Sequence, residues 1–139
     1  MQGALLGKWV VGVSAGDEHT AAITDAGELF TWGSGDRGQL GDGRLGHDQG
    51  YEEDDEEDTL VPTQLLGQLR WKRVVTVSAG GRHTAAVTES GELYVWGDRV
   101  ACGSAADVNA PRHVGGALSG SRVVAVSAGA FHTAVLTAM

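Results

Sequence analysis

Cysteine is nearly absent from this chain of 139 residues: Cys102 stands alone. A single thiol excludes an intrachain disulfide and a cysteine-built zinc site. Proline occurs only at Pro62 and Pro111. No stretch approaches the roughly 18 to 20 uninterrupted apolar residues of a membrane-spanning helix. Near the N-terminus, Met1 to Ala15 is mildly apolar but interrupted by Lys8 and Trp9, and the first arginine is Arg37. Neither a secretory signal nor an Arg-rich mitochondrial presequence is expected. The compartment reads as cytoplasm or nucleus, with an organelle left open. Basic residues are also in deficit, 10 against 18 acidic, for a net charge of −8. A nucleic-acid surface needs a basic stripe to displace counterions from phosphates, so no direct nucleic-acid contact is expected.

What is abundant is repetition. Val10 to Gly33 (VVGVSAGDEHTAAITDAGELFTWG) and Val74 to Gly97 (VVTVSAGGRHTAAVTESGELYVWG) align without a gap and share 16 of 24 residues, and Val123 to Thr137 (VVAVSAGAFHTAVLT) begins a third copy. Repeats of this length are stacked supersecondary units. Each copy reads as β-structure: a valine-rich strand, a turn at Gly16 or Gly80, an alternating strand from His19 or His83, a turn at Gly27 or Gly91, and a strand ending at Trp32 or Trp96. The turn glycines are explained by access to positive φ. A fourth strand is expected to start at Pro62 and again at Pro111, since proline is tolerated at a strand's first residue. Four strands per unit make a propeller blade. The fold expected is therefore all-β, a partial β-propeller of about two and a half four-stranded antiparallel blades: blade 1 about 10–33, an acidic inter-blade insertion 42–60, blade 2 about 61–97 and a partial blade 3 about 110–137. Ten short strands and no long helix are expected, with Trp32 and Trp96 in equivalent, mostly buried positions. Two blades and part of a third do not close a ring. The chain reads as a fragment of a larger protein, a truncated gene product, or a protomer that completes its ring with other chains, and it is expected to be marginal or prone to associate when isolated.

Ala-Gly-x-x-His-Thr, followed by Gly-Glu-Leu-aromatic-x-Trp-Gly and then Gly-Gln-Leu-Gly, resembles the regulator of chromosome condensation repeat. The resemblance covers nearly the whole chain and implies a seven-bladed β-propeller family. Members of that family include exchange factors for the GTPase Ran, ubiquitin-ligase subunits, ciliary scaffolds, organelle assembly factors and a plant ultraviolet receptor, so the fold does not select one role. Gly33 to Gly41 (GSGDRGQLG) resembles a loop of the Ran exchange factors whose aspartate contributes to the GTPase contact. By that resemblance Asp36, with Arg37 and Gln39 beside it, is a partner-binding candidate; the alternative is that Asp36 bonds its own turn. The second copy has lost Gly-Gln-Leu-Gly, reading Gly97-Asp98-Arg99-Val100-Ala101-Cys102-Gly103, and no segment aligns with the wedge that the exchange factors use to displace nucleotide.

Gly33-Ser34-Gly35-Asp36-Arg37-Gly38 also matches G-x-G-x-x-G in form. A dinucleotide site needs a helix to open at the third glycine. Here Gln39-Leu40-Gly41-Asp42-Gly43 follows, with no helical apolar period, so the match is a loop.

The charge is local. Eight of the 18 acidic residues lie in Asp48 to Asp58 (DQGYEEDDEED). That run is expected to be a solvated, poorly ordered loop. Glu52, Glu53, Asp54, Asp55, Glu56, Glu57 and Asp58 are candidates for docking a basic partner such as a histone tail; weak divalent-cation binding is a further alternative, although the run lacks EF-hand spacing. His19, His83 and His132 recur at one repeat position with Gly16, Gly80 and Gly129. A blade's width between them is too great for one tetrahedral ion, so each is expected to bond backbone or a hydroxyl within its own blade. No metal or cofactor is implied, and there is no nucleophile elbow or carboxylate pair of an enzyme. The function expected is a protein-interaction module or scaffold; the alternatives are guanine-nucleotide exchange on a Ran-like GTPase and association with chromatin or histones.

Overall fold

Paired valines begin each repeat, and the reason lies in how the first strand of each meander meets the second. A computed structural model describes residues 5, 7–43, 58–115, 118 and 120–138, with the backbone alone at 58–60. Among these residues are ten strands: β1 Val10–Ala15, β2 His19–Thr24, β3 Leu29–Ser34, β4 Asp58–Gln64, β5 Val74–Ala79, β6 His83–Thr88, β7 Leu93–Gly97, β8 Val108–Val114, β9 Arg122–Ala128 and β10 Thr133–Ala138. They form two four-stranded antiparallel sheets, β1-β2-β3-β4 and β5-β6-β7-β8, and the pair β9-β10. The ladder slips at the same place each time: Val11, Val75 and Val124 are extra residues opposite β2, β6 and β10. Such a bulge turns one side chain off the regular alternation, and all three of these valines are exposed.

The sheets stack face to face. Ala21, Ile23 and Leu29 of the first blade pack on Ala86, Tyr94 and Trp96 of the second. Ala85, Val87, Leu93 and Val95 on the other face of the second blade meet Val123, Val126 and Val135 of the third. Alanines at the centre allow close approach, and the wider part of the gap takes the tryptophan. Trp96 is fully buried. Trp32, at the same repeat position, is only half-buried, against Leu5, Ala22 and Phe30. The expectation of equal burial fails because this face of a blade is covered by the preceding blade, and the described residues place none before the first. On the far side Leu136, counterpart of Ile23 and Val87, is 66% exposed.

Polar contacts repeat in step with the apolar ones. The amides of Ala79 and Ala128 donate to Ser14 and Ser78 Oγ of the blade before, each at 2.9 Å. Val74 and Val123 donate to the carbonyls of Gly27 and Gly91 at 3.1 and 3.0 Å, and the Arg73 and Arg122 guanidiniums bond the carbonyls of Asp25 and Glu89. The turn glycines divide into two kinds. Gly27 and Gly91 do take positive φ, +84° and +89°. Gly16 and Gly80 do not; a Cβ on either would lie 2.3 Å from a carbonyl oxygen of the next blade, so they are glycine for close approach.

Pro62 and Pro111 do not begin their strands. β4 starts at Asp58, inside the segment read as insertion, and β8 starts at Val108. Both are edge strands, and both ladders slip between Thr31 and Gly33, or Val95 and Gly97, where the strand carrying proline has extra residues. Proline is admitted at an edge or bulge because no ladder donor is needed there.

Candidate functional site

After β3 the chain forms a closed polar turn. Asp36 Oδ1 accepts from Ser34 Oγ at 3.3 Å and from Gln39 Nε2 at 3.1 Å, while Gln39 Oε1 accepts the Arg37 amide at 2.8 Å. The carbonyl of Leu40 accepts from Thr31 Oγ1 at 2.7 Å. Gly41, at φ +73°, lies directly on the Trp96 ring: a Cβ there would come within 2.7 Å of Nε1. The glycine-rich stretch thus crosses the blade end as a lid over Trp96, and no helix begins within 33–43.

Gln39 was a partner candidate, and its burial argues against a direct contact: it is 0% exposed, and Leu40 beside it 1%. A polar side chain in a glycine-rich loop is buried here because Asp36 and the Arg37 amide satisfy it. Arg37 and Asp36 remain partly exposed at the surface. Arg37 reaches the second blade, its Nη1 lying 3.8 Å from Asp107 Oδ2. Nearby, the Gly43 amide donates to the Asn109 carbonyl at 2.8 Å, and Asn109 Nδ2 donates to the Gly43 carbonyl at 3.0 Å. The second blade's shorter loop is held by a single helical turn, α1 (Arg99–Cys102), capped by Asp98 accepting from the Val100 amide and by Gly103 in the left-handed region. Asp107 Oδ1 accepts the Arg99 amide at 2.9 Å. Loops of two blades are thereby tied into one surface.

Beneath it lies a bond between blades. His19 Nε2 is 3.2 Å from the His83 carbonyl and 2.9 Å from Thr84 Oγ1. Thr84 has one hydroxyl proton and gives it to the Gln39 carbonyl at 2.8 Å, so His19 must be the donor and its proton sits on Nε2. Its Nδ1, packed under Gly16, has no acceptor. A second proton would have nowhere to go, and burial lowers the His19 pKa to about 4. His83 repeats the arrangement with Thr133 Oγ1 at 3.0 Å, its pKa likewise lowered by burial. These histidines therefore bond the next blade, not their own as expected. The signal was the recurring His-Thr dipeptide: the threonine of one copy serves the histidine of the copy before, Thr84 for His19 and Thr133 for His83. His132, the third, is exposed.

Glu52, Glu53, Asp54, Asp55, Glu56 and Glu57 lie outside the described residues; Asp58 pairs with Ser34 through the β4 backbone. Cys102 is half-buried, and burial pushes its thiol up to about 11. A thiol that stays protonated at neutral pH is a poor nucleophile. Among the described residues no three His, Cys, Asp or Glu side chains converge as a metal site, and no helix is long and apolar enough to cross a membrane. What the surface offers is hydrogen-bonding and charged groups over a buried base of Gln39 and Leu40.

The family model described as the regulator of chromosome condensation (RCC1) repeat matches residues 26–87 and 90–136, and a second model of that repeat matches 10–39. The chain is 43% identical over 94 residues to the ultraviolet-B receptor UVR8 of Arabidopsis thaliana, covering 68% of the chain and 19% of the receptor. The solved structure of human WBSCR16 superposes with a TM-score of 0.79 at 29% identity, over 94% of this chain and 31% of that one. Prp20p from Saccharomyces cerevisiae, a protein described with binding properties to Gsp1p and histones, gives the same TM-score and coverages at 20% identity, a likeness of fold alone. The chain spans less than a third of each of these proteins.

Proposed function

From a chain that belongs to the regulator of chromosome condensation (RCC1) repeat family, we propose a protein-interaction segment of a propeller, with the joined loops of the first two blades as its contact surface. The observation that carries this reading is the link from Arg37 to Asp107 and from Gly43 to Asn109. Groups from two blades are pre-positioned by it, so this surface would lose little side-chain freedom when a partner binds, and preorganisation of that kind favours affinity. The buried Gln39 and Leu40 form the base, and Asp36, Arg37 and the turn around Asp98 supply the contacts. The interaction would operate in the cytoplasm or nucleus.

Crosslinking and pull-down from the source cell, with wild type beside Arg37→Glu, is the test. A partner captured by wild type and lost with the variant supports the reading. An unchanged partner set would place the contact elsewhere.

Guanine-nucleotide exchange on a Ran-like GTPase is a second reading, favoured by the match of Gly33 to Gly41 to the exchange-factor loop. Against it, the Asp36 carboxylate already accepts two bonds within its own turn. Nucleotide release from a GTPase panel decides between them: acceleration by wild type that Asp36→Ala abolishes would establish exchange. Prp20p is described with histones as well, and residues 52–58 carry the chemistry for a basic partner here. Binding through that run would weaken steeply with salt, because exposed charges are screened over about 8 Å at physiological ionic strength, and would vanish on its deletion.

A further inference from the structure

Each repeat is entered through the same tight turn. The amides of Lys8, Lys72 and Ser121 donate to the carbonyls of Leu5, Leu69 and Leu118 at 3.0, 2.9 and 3.0 Å. In each case the residue just before the donor takes positive φ. In the first and third copies it is glycine, Gly7 at +82° and Gly120 at +83°; in the second it is Trp71, at +68°. Positive φ is an outlier for a bulky residue, and such strain persists where surroundings or function demand it. Packing does not demand it here. Trp71 is 94% exposed, and its contact is Arg70, whose guanidinium carbon lies 5.8 Å from the ring centroid. The chain is thus its own control: the fold at this position uses glycine, and the second copy presents an indole to solvent instead.

The surroundings of Trp71 suit an apolar group flanked by negative charge. A cavity of about 300 Å³ opens beside it, with Leu65, Leu66 and Leu69 on its apolar side and Glu28, Arg70 and Lys72 on its polar side. Its counterpart in the next blade, about 220 Å³, has Gly120 at the equivalent rim position. The run Arg70-Trp71-Lys72-Arg73 places three cations around the indole. Lys72 is paired with Glu92 at 2.8 Å, and Arg73 bonds the Asp25 carbonyl, which does not neutralise it. Arg70 makes no ion pair among the described residues. Glu28, the carboxylate that lines the cavity, is paired with Lys8 at 3.1 Å, which leaves the Arg70 guanidinium uncompensated. The antiparallel strand order puts this patch at the opposite end of the sheets from Asp36 and Arg37, so it is a separate surface.

We propose that Trp71, Arg70 and the adjoining cavity dock a short acidic peptide segment of a partner protein, an apolar side chain entering the cavity and a carboxylate meeting Arg70. Exposed tryptophan and arginine at the mouth of a pocket with one apolar wall are the residue types that dominate binding energy at interfaces. Two guanidiniums do not make the stripe that a nucleic-acid backbone requires, so a peptide is favoured over RNA.

Fluorescence anisotropy on the 139-residue chain tests this with three labelled probes: the peptide Glu-Asp-Leu-Phe-Asp-Glu, its charge-reversed form Lys-Lys-Leu-Phe-Lys-Lys, and a single-stranded oligouridylate. The acidic peptide is expected to bind saturably and the other two not. Trp71→Gly and Arg70→Glu should each weaken binding about tenfold or more. Because glycine is the residue the turn prefers, Trp71→Gly should leave Tm unchanged or raised. Failure of the acidic peptide to bind, preference for either other probe, or undiminished binding by Trp71→Gly would overturn the proposal. A Tm lowered by more than about 5 °C in Trp71→Gly would overturn it too, by making Trp71 a packing residue.

Discussion

His19 in the first blade donates through Nε2 to Thr84 in the second, at 2.9 Å, and Thr84 passes its own proton to the Gln39 carbonyl in the loop above. One hydroxyl therefore joins two sheets and the candidate contact loop. Thr84→Val keeps the shape and removes both bonds, leaving the Gln39 carbonyl without this donor and the His19 N–H with only the more distant His83 carbonyl at 3.2 Å. The expected loss is about 1–3 kcal/mol, measured by urea denaturation. Thr133→Val, where the hydroxyl is half-buried, should cost less.

A neutral histidine held in this bond makes stability depend on pH. The pKa of His19 is about 4 in the folded chain and 6.5 in its ordinary state. Between those values the unfolded chain binds the proton and the folded one does not, so stability is intact above about pH 6.5 and falls as pH drops toward 4. From pH 7.5 to 5 the loss from His19 alone is on the order of 2 kcal/mol, and His83 acts in the same direction. Denaturation series across this range should show the slope, and His19→Gln should reduce it, leaving the part that His83 contributes.

The two tryptophans of one repeat position should differ in energy as they do in burial. Trp96→Ala removes a fully buried side chain beneath Gly41 and should cost about 3–5 kcal/mol. Trp32→Ala, at the half-buried position, should cost less than half as much. Equal losses would show that the faces of the two blades are covered alike.

Much of this architecture was legible because repetition exposes it. The paired valines, alternating strands, hairpin glycines and terminal tryptophans appear in each copy, and the three-strand meander follows from them. Periodicity shows which residues are equivalent, but not which neighbour each one touches. His19 could as well have bonded its own blade, and only the stacking offset sends it to Thr84. The same limit hid Gly16, whose reason for being glycine is a carbonyl 64 residues away in Gly80. Pro62 misled because an edge strand with a bulge accommodates a residue that a regular ladder rejects. Gln39 entered only as a neighbour of Asp36 in the loop resemblance, and nothing in the sequence shows that Asp36 and the Arg37 amide hold it indoors. Trp71 could have been found from the sequence by aligning it with Gly7 and Gly120.

Rigid stacking of the blades is what lets loops of different blades act as one surface, and native-state hydrogen exchange tests it most directly. The amides of Val74 and Ala79 bond only across the first interface, to Gly27 and Ser14, while those of Ala85 and Ala86 lie within the second sheet. If the blades open as one cooperative unit, all four amides should exchange with the same free energy. Exchange at Val74 and Ala79 that is orders of magnitude faster than at Ala85 and Ala86 would show blades moving independently, and would contradict the account.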